Sequence, residues 1–418
     1  MNRSYYTVGL ILLTFFVISF LTNITGPLIP DIIQGFDLSL TLVALLPFAF
    51  FIAYGVMSIP SGMLLEKYNE KKMMSAAFAV AFLGSLLLVL SPNYLSAVLS
   101  LFLIGCGMAI LQVVINPLLR TAGGEEHYAF NSILAQLIFG LASFVSPLVY
   151  SGMVSKLQAE EKSGGLFGLL AQFTPADLPW ISLYWLFAVI SLAMIAIIMV
   201  SHFPKVELSQ DEKAGTFKTY IHLFKQRVVI LYFIALFCYV GAEQGVANWI
   251  SQFLLTYHGY DPQRTGAEIV AYFWGLMTAG GVLGLLLVKL MDSRKVLVLF
   301  TALALICLTA GLFGPGNVAL VAFPLVGFFA SVMYPIIFSL ALNSVKEHHG
   351  SFAGILVTGI VGGAIVPLIV GSLGDQIGLR YGMLFLYIPI GYILSIGFWA
   401  RPIITNKVIT RKKKVATP

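Results

Sequence analysis

A single carboxylate sits in the middle of a long apolar run. It is Glu243, in the stretch Val240-Gly-Ala-Glu-Gln-Gly-Val-Ala-Asn-Trp249. A charge at the centre of a bilayer costs about 2.5–3.5 kcal/mol on insertion scales, so an ionisable group at that depth is a functional candidate by default. A carboxylate there with no cationic partner is suited to taking up and releasing a proton. It is equally suited to binding Na⁺ and being neutralised by it. The plainer reading is a permanently protonated glutamate that only hydrogen-bonds within its bundle. Six amides stand in similar apolar surroundings: Asn23, Gln112, Asn116, Gln136, Gln244 and Asn248. An amide offers donors and an acceptor from one side chain, which suits a neutral polar ligand. Gln112 and Asn116 are four residues apart, as are Gln244 and Asn248, so each pair shares a helix face. Tyr239, Trp274 and Trp249 could stack on or frame the flat apolar face of such a ligand. For each amide the plainer role is an interhelical hydrogen bond of modest energy. Trp249 could equally belong to an interfacial aromatic belt.

These residues carry such chemistry only if the chain spans a membrane, and its composition says that it does. The 418 residues are 59% hydrophobic and only 10% charged, where a soluble globular chain is about a quarter charged. The charges are spread between apolar blocks of about 20 residues, the pattern of a polytopic membrane protein. Cys106, Cys238 and Cys307 fall inside apolar blocks with no metal spacing and read as small packing residues. The first block, Thr7 to Pro30, is too long for a signal-peptide core and lacks an Ala-x-Ala-like cleavage site, so it is expected to remain in the mature protein.

The expected fold is an all-α polytopic membrane protein with twelve transmembrane helices, arranged as two six-helix pseudo-repeats around a central cavity. The spans fall near 7–30, 41–65, 73–92, 95–119, 128–154, 183–203, 228–255, 265–291, 295–314, 317–345, 350–374 and 381–403. The chain then divides into a first six-helix bundle (1–203), a linker (204–227), a second six-helix bundle (228–403) and a basic tail (404–418). With the N-terminus inside, 20 of the 24 Lys and Arg residues fall in cytoplasmic segments, which supports both the span count and the orientation. The net charge of +6 is therefore a matter of topology and not a nucleic-acid signal. Phe217, Tyr220, Ile221 and Phe224 recur at helical spacing in the linker among basic residues, as in a short amphipathic helix lying on membrane lipid. The tail's Arg411 to Lys414 reads as a stop at the cytoplasmic face, with attraction to anionic lipid.

The two halves echo each other. Gly62 and Gly284, each followed by an acid and bases, are 222 residues apart. Pro117 and Pro335 are 218 apart, and Pro147 and Pro367 are 220 apart. Three landmarks at nearly one offset indicate a duplicated six-helix unit, the construction of many secondary transporters. Subtracting 220 from Glu243 gives Asn23, so the two are expected at one depth on opposite walls of the cavity. Gly26, Pro27, Gly241 and Gly245 would let those walls bend.

The loop Gly62-x-x-x-Glu66-Lys67-x-x-x-Lys71-Lys72 resembles the signature loop of the major facilitator superfamily, with Glu66 where aspartate is usual and Asn69 where glycine is usual. The resemblance implies a gating loop whose acid braces helix ends in one conformational state. Within that superfamily the chain resembles the fucose-permease-like sugar:cation symporters. Leu111-Gln112-Val-Val-Ile-Asn116-Pro117, Leu134-Ala-Gln136, Tyr239-Val-Gly-Ala-Glu243, Tyr334-Pro-Ile-Ile-Phe-Ser-Leu340, and Thr358-Gly-Ile-Val-Gly-Gly363 followed by Pro367 and Gly374-Asp375 carry that likeness. The resemblance implies a monomeric symporter of the bacterial cytoplasmic membrane, with both termini cytoplasmic. Fucose permeases carry an aspartate in their first helix and a glutamate in their fourth. The matching positions here are Gly26 and Gln112, so neither those coupling residues nor fucose itself carries over.

Sorting all 18 acidic residues by depth leaves Glu243 alone within the membrane, about 22 Å along a span of roughly 30 Å. No Lys, Arg or His is expected at that depth, which disfavours anionic substrates. The reading is import of a neutral monosaccharide by symport with H⁺ or Na⁺, with Glu243 as the coupling group. Its rival is proton-coupled export of cationic compounds that bind Glu243 directly. No metal spacing, nucleophile motif or phosphate loop supports an enzyme, and no cofactor is expected beyond the coupling ion.

Overall fold

The computed structural model describes residues 5–124, 127–158, 170, 172–203, 217–345 and 347–403. Among the described residues are twelve helices, here spans 1 to 12, long and apolar enough to cross a membrane. They are Tyr5–Phe36, Leu40–Leu65, Glu70–Leu90, Tyr94–Gly123, Phe130–Gln158, Pro179–Val200, Arg227–Ala247, Pro262–Leu290, Ser293–Phe313, Gly316–Leu342, His349–Ile377 and Leu379–Trp399. The expected count holds. Span 1 is longer than expected: it runs through Pro30 to Phe36, and so takes in Asp31. The expected linker falls mostly outside the described residues, as does the basic tail. The described part of the linker forms the helix Phe217–Phe224. Its Tyr220 and Leu223 are buried against the protein, and Ile221 and Phe224 stay exposed.

Backbone chemistry explains the short connections. The first N–H groups of a helix lack internal partners, and Ser, Asn and Asp side chains supply them. Ser39 caps span 2, Asn69 caps span 3, Asn93 caps span 4 and Asp292 caps span 9. Asn69 therefore replaces the usual loop glycine with a helix start. Apolar side chains such as Leu83, Val189, Leu192, Leu299, Ile306 and Phe398 point outward and fit a hydrocarbon surround.

Spans 2, 3, 4 and 6 pack together in the first half, and spans 8, 9, 10 and 12 in the second. Spans 1 and 7 join the bundles of their own halves. The seam between halves is built from span 2 on span 11, span 5 on span 8, and the outer segment of span 1 on the continuation of span 7. Spans 2 and 8, and likewise 5 and 11, are repeat mates, so the first two contacts are the same contact made twice.

Four spans break near mid-depth. Span 1 consists of Tyr5–Thr22 and Thr25–Phe36; span 7 ends at Ala247 and resumes as Ile250–His258. Span 10 divides between Ala330 and Met333, and span 11 holds a 3₁₀ turn at Gly359–Val361. In spans 1 and 10 the cause is a proline just downstream, Pro27 and Pro335, which removes a backbone donor and crowds the preceding turn. The bends therefore lie at Thr22–Ile24 and Asn248–Trp249, not at Gly241 or Gly245.

The signature loop ties one bundle together internally. Lys71 Nζ donates to the carbonyls of Met199 (2.6 Å) and Ser201 (2.9 Å), at the end of span 6. The repeat does the same in the second half, where Arg294 Nη1 donates to the Ala400 carbonyl at the end of span 12 (3.3 Å). A cation at a helix C-terminus satisfies orphan carbonyls and opposes the helix dipole. Arg294 also grips Asp292 through two side-chain hydrogen bonds, which holds that carboxyl below the usual carboxylate range. Lys67 lies 5.5 Å from the Tyr68 ring, Lys72 is exposed and Gly62 half-buried. The side chain of Glu66 lies outside the described residues. Lys71→Met is expected to remove about 1 kcal/mol of stability and to lower the melting temperature of the purified protein by roughly 1–3 °C. Lys71→Arg should keep most of it, and an unchanged melting curve for the Met variant would exclude the tie.

Candidate functional site

Glu243 lies on the bundle side of span 7, half-buried in a small cavity of the second half. One turn below it, the Tyr239 hydroxyl donates to Glu243 Oε1 at 3.2 Å. The Tyr334 ring packs against that of Tyr239 with centroids 5.7 Å apart. The rest of the lining is apolar, including Ala242, Val246, Phe273, Val326, Met333 and Ile390. The free space beside the carboxylate is of the order of one water molecule.

The other candidates are distributed around the seam. Asn23 donates to Ser143 Oγ of span 5 at 2.8 Å, and Ser143 in turn bonds Ser19 (2.6 Å). It is thus held inside the first half. The helix breaks match Asn23 with Asn248, which puts Glu243 five residues nearer the start of span 7. Asn248 is 2% exposed, beside span 1. Its Nδ2 has no hydrogen-bond partner among the described residues, and neither has the buried indole N–H of Trp274. Buried donors are rarely left so unless something else completes them. Gln244 is buried where Phe51 of span 2 and Gly363 of span 11 meet span 7. Gln112 and Asn116 lie on the face of span 4 that its neighbours leave uncovered, half-buried and exposed respectively, and Asn116 Nδ2 bonds the Gln112 carbonyl (3.0 Å). Gln136 is exposed on span 5. Trp249 is not in an aromatic belt. It is 0% exposed, and its indole donates to the Pro367 carbonyl at 3.2 Å.

Gly26, where fucose permeases carry an acid, is a point of backbone contact between the halves. A Cβ there would lie 2.4 Å from the Ala247 carbonyl oxygen and 3.3 Å from Asn248 Cα.

Two features escaped the sequence reading. Asp31 is a buried carboxylate, 7% exposed, where Glu243 is half-buried. It accepts from the Tyr150 hydroxyl and, across the seam, from Gln263 Nε2 at 3.2 Å to each oxygen. Glu243 is therefore not alone among the acids within the spans. The signal is in Pro30-Asp31-Ile-Ile, where the helix continues past the proline at which the first apolar block was expected to end. The second is Asp375, whose carboxylate accepts from the backbone of Leu40 and Thr41 in the other half. These cross-seam bonds lie at one end of the molecule, which is sealed. Toward the opposite end, Asn116, Gln136, Pro335 and Ser339 are exposed.

Twelve helices of membrane-crossing length, packed as two bundles across a seam, define a multi-pass membrane protein, and the family and relatives it matches make it a transporter and not an enzyme. The chain belongs to the major facilitator superfamily, whose family model matches residues 11–365. Similar proteins include a glucose/galactose transporter of Brucella abortus (strain 9-941), 32% identical over 394 residues and 92% of each chain. The L-fucose-proton symporter of Escherichia coli K12 is 27% identical over 401 residues, covering 90% of this chain and 89% of the relative. Among solved structures, the E. coli fucose:proton symporter matches with a TM-score of 0.68 at 23% identity, over 96% of this chain and 100% of that one. An inward-facing bacterial homologue of the lysosomal transporter Spinster matches with 0.79 at 14% identity, over 94% and 96%.

Proposed function

We propose that this protein imports a neutral monosaccharide across a bacterial cytoplasmic membrane by alternating access, coupled to a proton carried on Glu243. The carrying observation is the setting of Glu243: an acid at membrane depth, with one phenol beside it and otherwise apolar walls. Hard cations take about six oxygen ligands, and this lining supplies a carboxylate and a hydroxyl. A proton needs only the carboxylate. The same cramped space gives no support to direct binding of an organic cation, the rival reading. The names of the relatives, a glucose/galactose transporter and an L-fucose-proton symporter, support a hexose-like substrate and proton coupling. The distribution of Lys and Arg supports cytoplasmic termini, which makes the sealed end the outer one and this conformation inward-open. Asn248, Gln244, Trp274, Gln112, Asn116 and Gln136 are the proposed contacts for the sugar. The unpartnered donors of Asn248 and Trp274 are the groups that a sugar hydroxyl would complete.

Thermal unfolding of the purified protein with neutral sugars tests this reading. Glucose, galactose or a close relative should raise the melting temperature, with a size set by ligand concentration over Kd. The shift should vary with pH and not with replacement of K⁺ by Na⁺. Stabilisation by no monosaccharide, but by a lipophilic cation, would reverse the reading in favour of export.

A further inference from the structure

The sealed end is held by carboxylates that reach across the seam in opposite directions. Asp375 lies in the last turn of span 11. One of its oxygens accepts from Leu40 N at 2.9 Å; the other accepts from Thr41 N at 2.8 Å and from the Thr41 hydroxyl. Leu40 and Thr41 are the first residues of the helix Leu40–Lys67, where backbone donors have no internal partner. The local cap, Ser39, takes only the N–H of Leu42. The helix is thus capped partly by its own half and partly by a residue some 335 positions away in the other. A carboxylate in that place gains from charge-assisted bonds and from the helix dipole together. One turn earlier the backbones are nearly in contact, since a Cβ at Gly371 would lie 2.7 Å from the Leu40 carbonyl oxygen.

Asp31 makes the reverse connection, from the first half to Gln263 in the second. Its bond to Tyr150 lies within one half and survives any relative movement of the two. The bonds to Gln263, Leu40 and Thr41 do not, because each has its ends on different halves.

We propose that Asp375 is the positioning residue of the outer gate: as a cap supplied in trans to span 2, it sets how often the sealed end opens, with Asp31–Gln263 as the second latch. This rests on alternating access and not on which sugar is carried. The reporter is Ala44→Cys in the full-length chain, since Ala44 is fully buried against Gly371 in the seam. Right-side-out vesicles are treated with a membrane-impermeant maleimide, and native Cys106, buried within the first half, reports any general loss of fold. Asp375→Ala is expected to raise labelling at position 44 several-fold to about tenfold, the range of a lost helix cap. Cys106 should be unaffected. Asp375→Glu should stay close to the parent, and Gln263→Leu should add to the effect of Asp375→Asn. Labelling at position 44 that is unchanged by both the Ala and the Asn substitutions overturns the proposal. If the Ala variant also exposes Cys106, the Asn variant decides, and equality with the parent there overturns it as well.

Discussion

Glu243→Gln is expected to abolish accumulation of sugar against a gradient while leaving counterflow intact. The substitution keeps the shape of the side chain and lets the Tyr239 hydroxyl still donate to it, so the cavity should not collapse. What it removes is a group whose charge can change. An uncoupled carrier equilibrates its substrate, and the accumulation ratio falls to about one. Because Glu243 faces the second-half bundle, sugar-binding affinity should change far less than accumulation. The measurement is uptake of labelled sugar into proteoliposomes under an imposed pH gradient, beside sugar-for-sugar exchange without one. Accumulation at the parent level would remove Glu243 from the coupling role, and loss of exchange as well would make it a structural or substrate group.

Replacing Gly26 by aspartate, the acid that fucose permeases place there, is expected to have the opposite signature. Both accumulation and exchange should fail. The atoms that a Cβ would strike are backbone atoms of span 7, which cannot rotate away as a side chain would. Overpacking of this kind costs typically 1–3 kcal/mol, which is about 5- to 150-fold in the population of the sealed state. Gly26→Ala should already show most of the defect, which separates sterics from charge. A Gly26→Asp protein that exchanges sugar at the parent rate would show that the two spans need not touch. The chain has therefore given up more than one acid. At this position it uses the missing side chain to bring two helices together.

The architecture was legible in the sequence because bilayer thickness fixes span length and because duplication leaves landmarks at a constant offset. Pro117 and Pro335, or Pro147 and Pro367, needed no structure to be matched. Glu243 was legible for the same reason, as a charge where the solvent forbids one. Which way a side chain turns was not. A span has two sides, and an offset of 220 neither assigns a face nor allows for a shift of the break, which pairs Asn23 with Asn248 and not with Glu243. In the fold each turns into its own half, to Ser143 and to Tyr239. Asp31 was hidden by a local rule. A proline ordinarily marks the end of a helix, but the helix Thr25–Phe36 runs through Pro30 and carries Asp31 with it. Asp375 lies at the same end as Asp31, but its partners are the first backbone N–H groups and the Thr41 hydroxyl of a helix in the other half, which no sequence pattern marks.

The bond from Asn23 to Ser143 also bears on how the protein is made. Ribosomes deliver the first six spans to the membrane before span 7 exists, and a helix broken at mid-depth is a poor object to leave facing lipid. Here the amide at the break is held by span 5, which belongs to the same instalment of chain. The early half can wait in the bilayer with that side chain already satisfied. The matching break in span 7 has no such provision: the Asn248 amide nitrogen has no partner among the described residues. It emerges only after its wall is standing, beside Gly26.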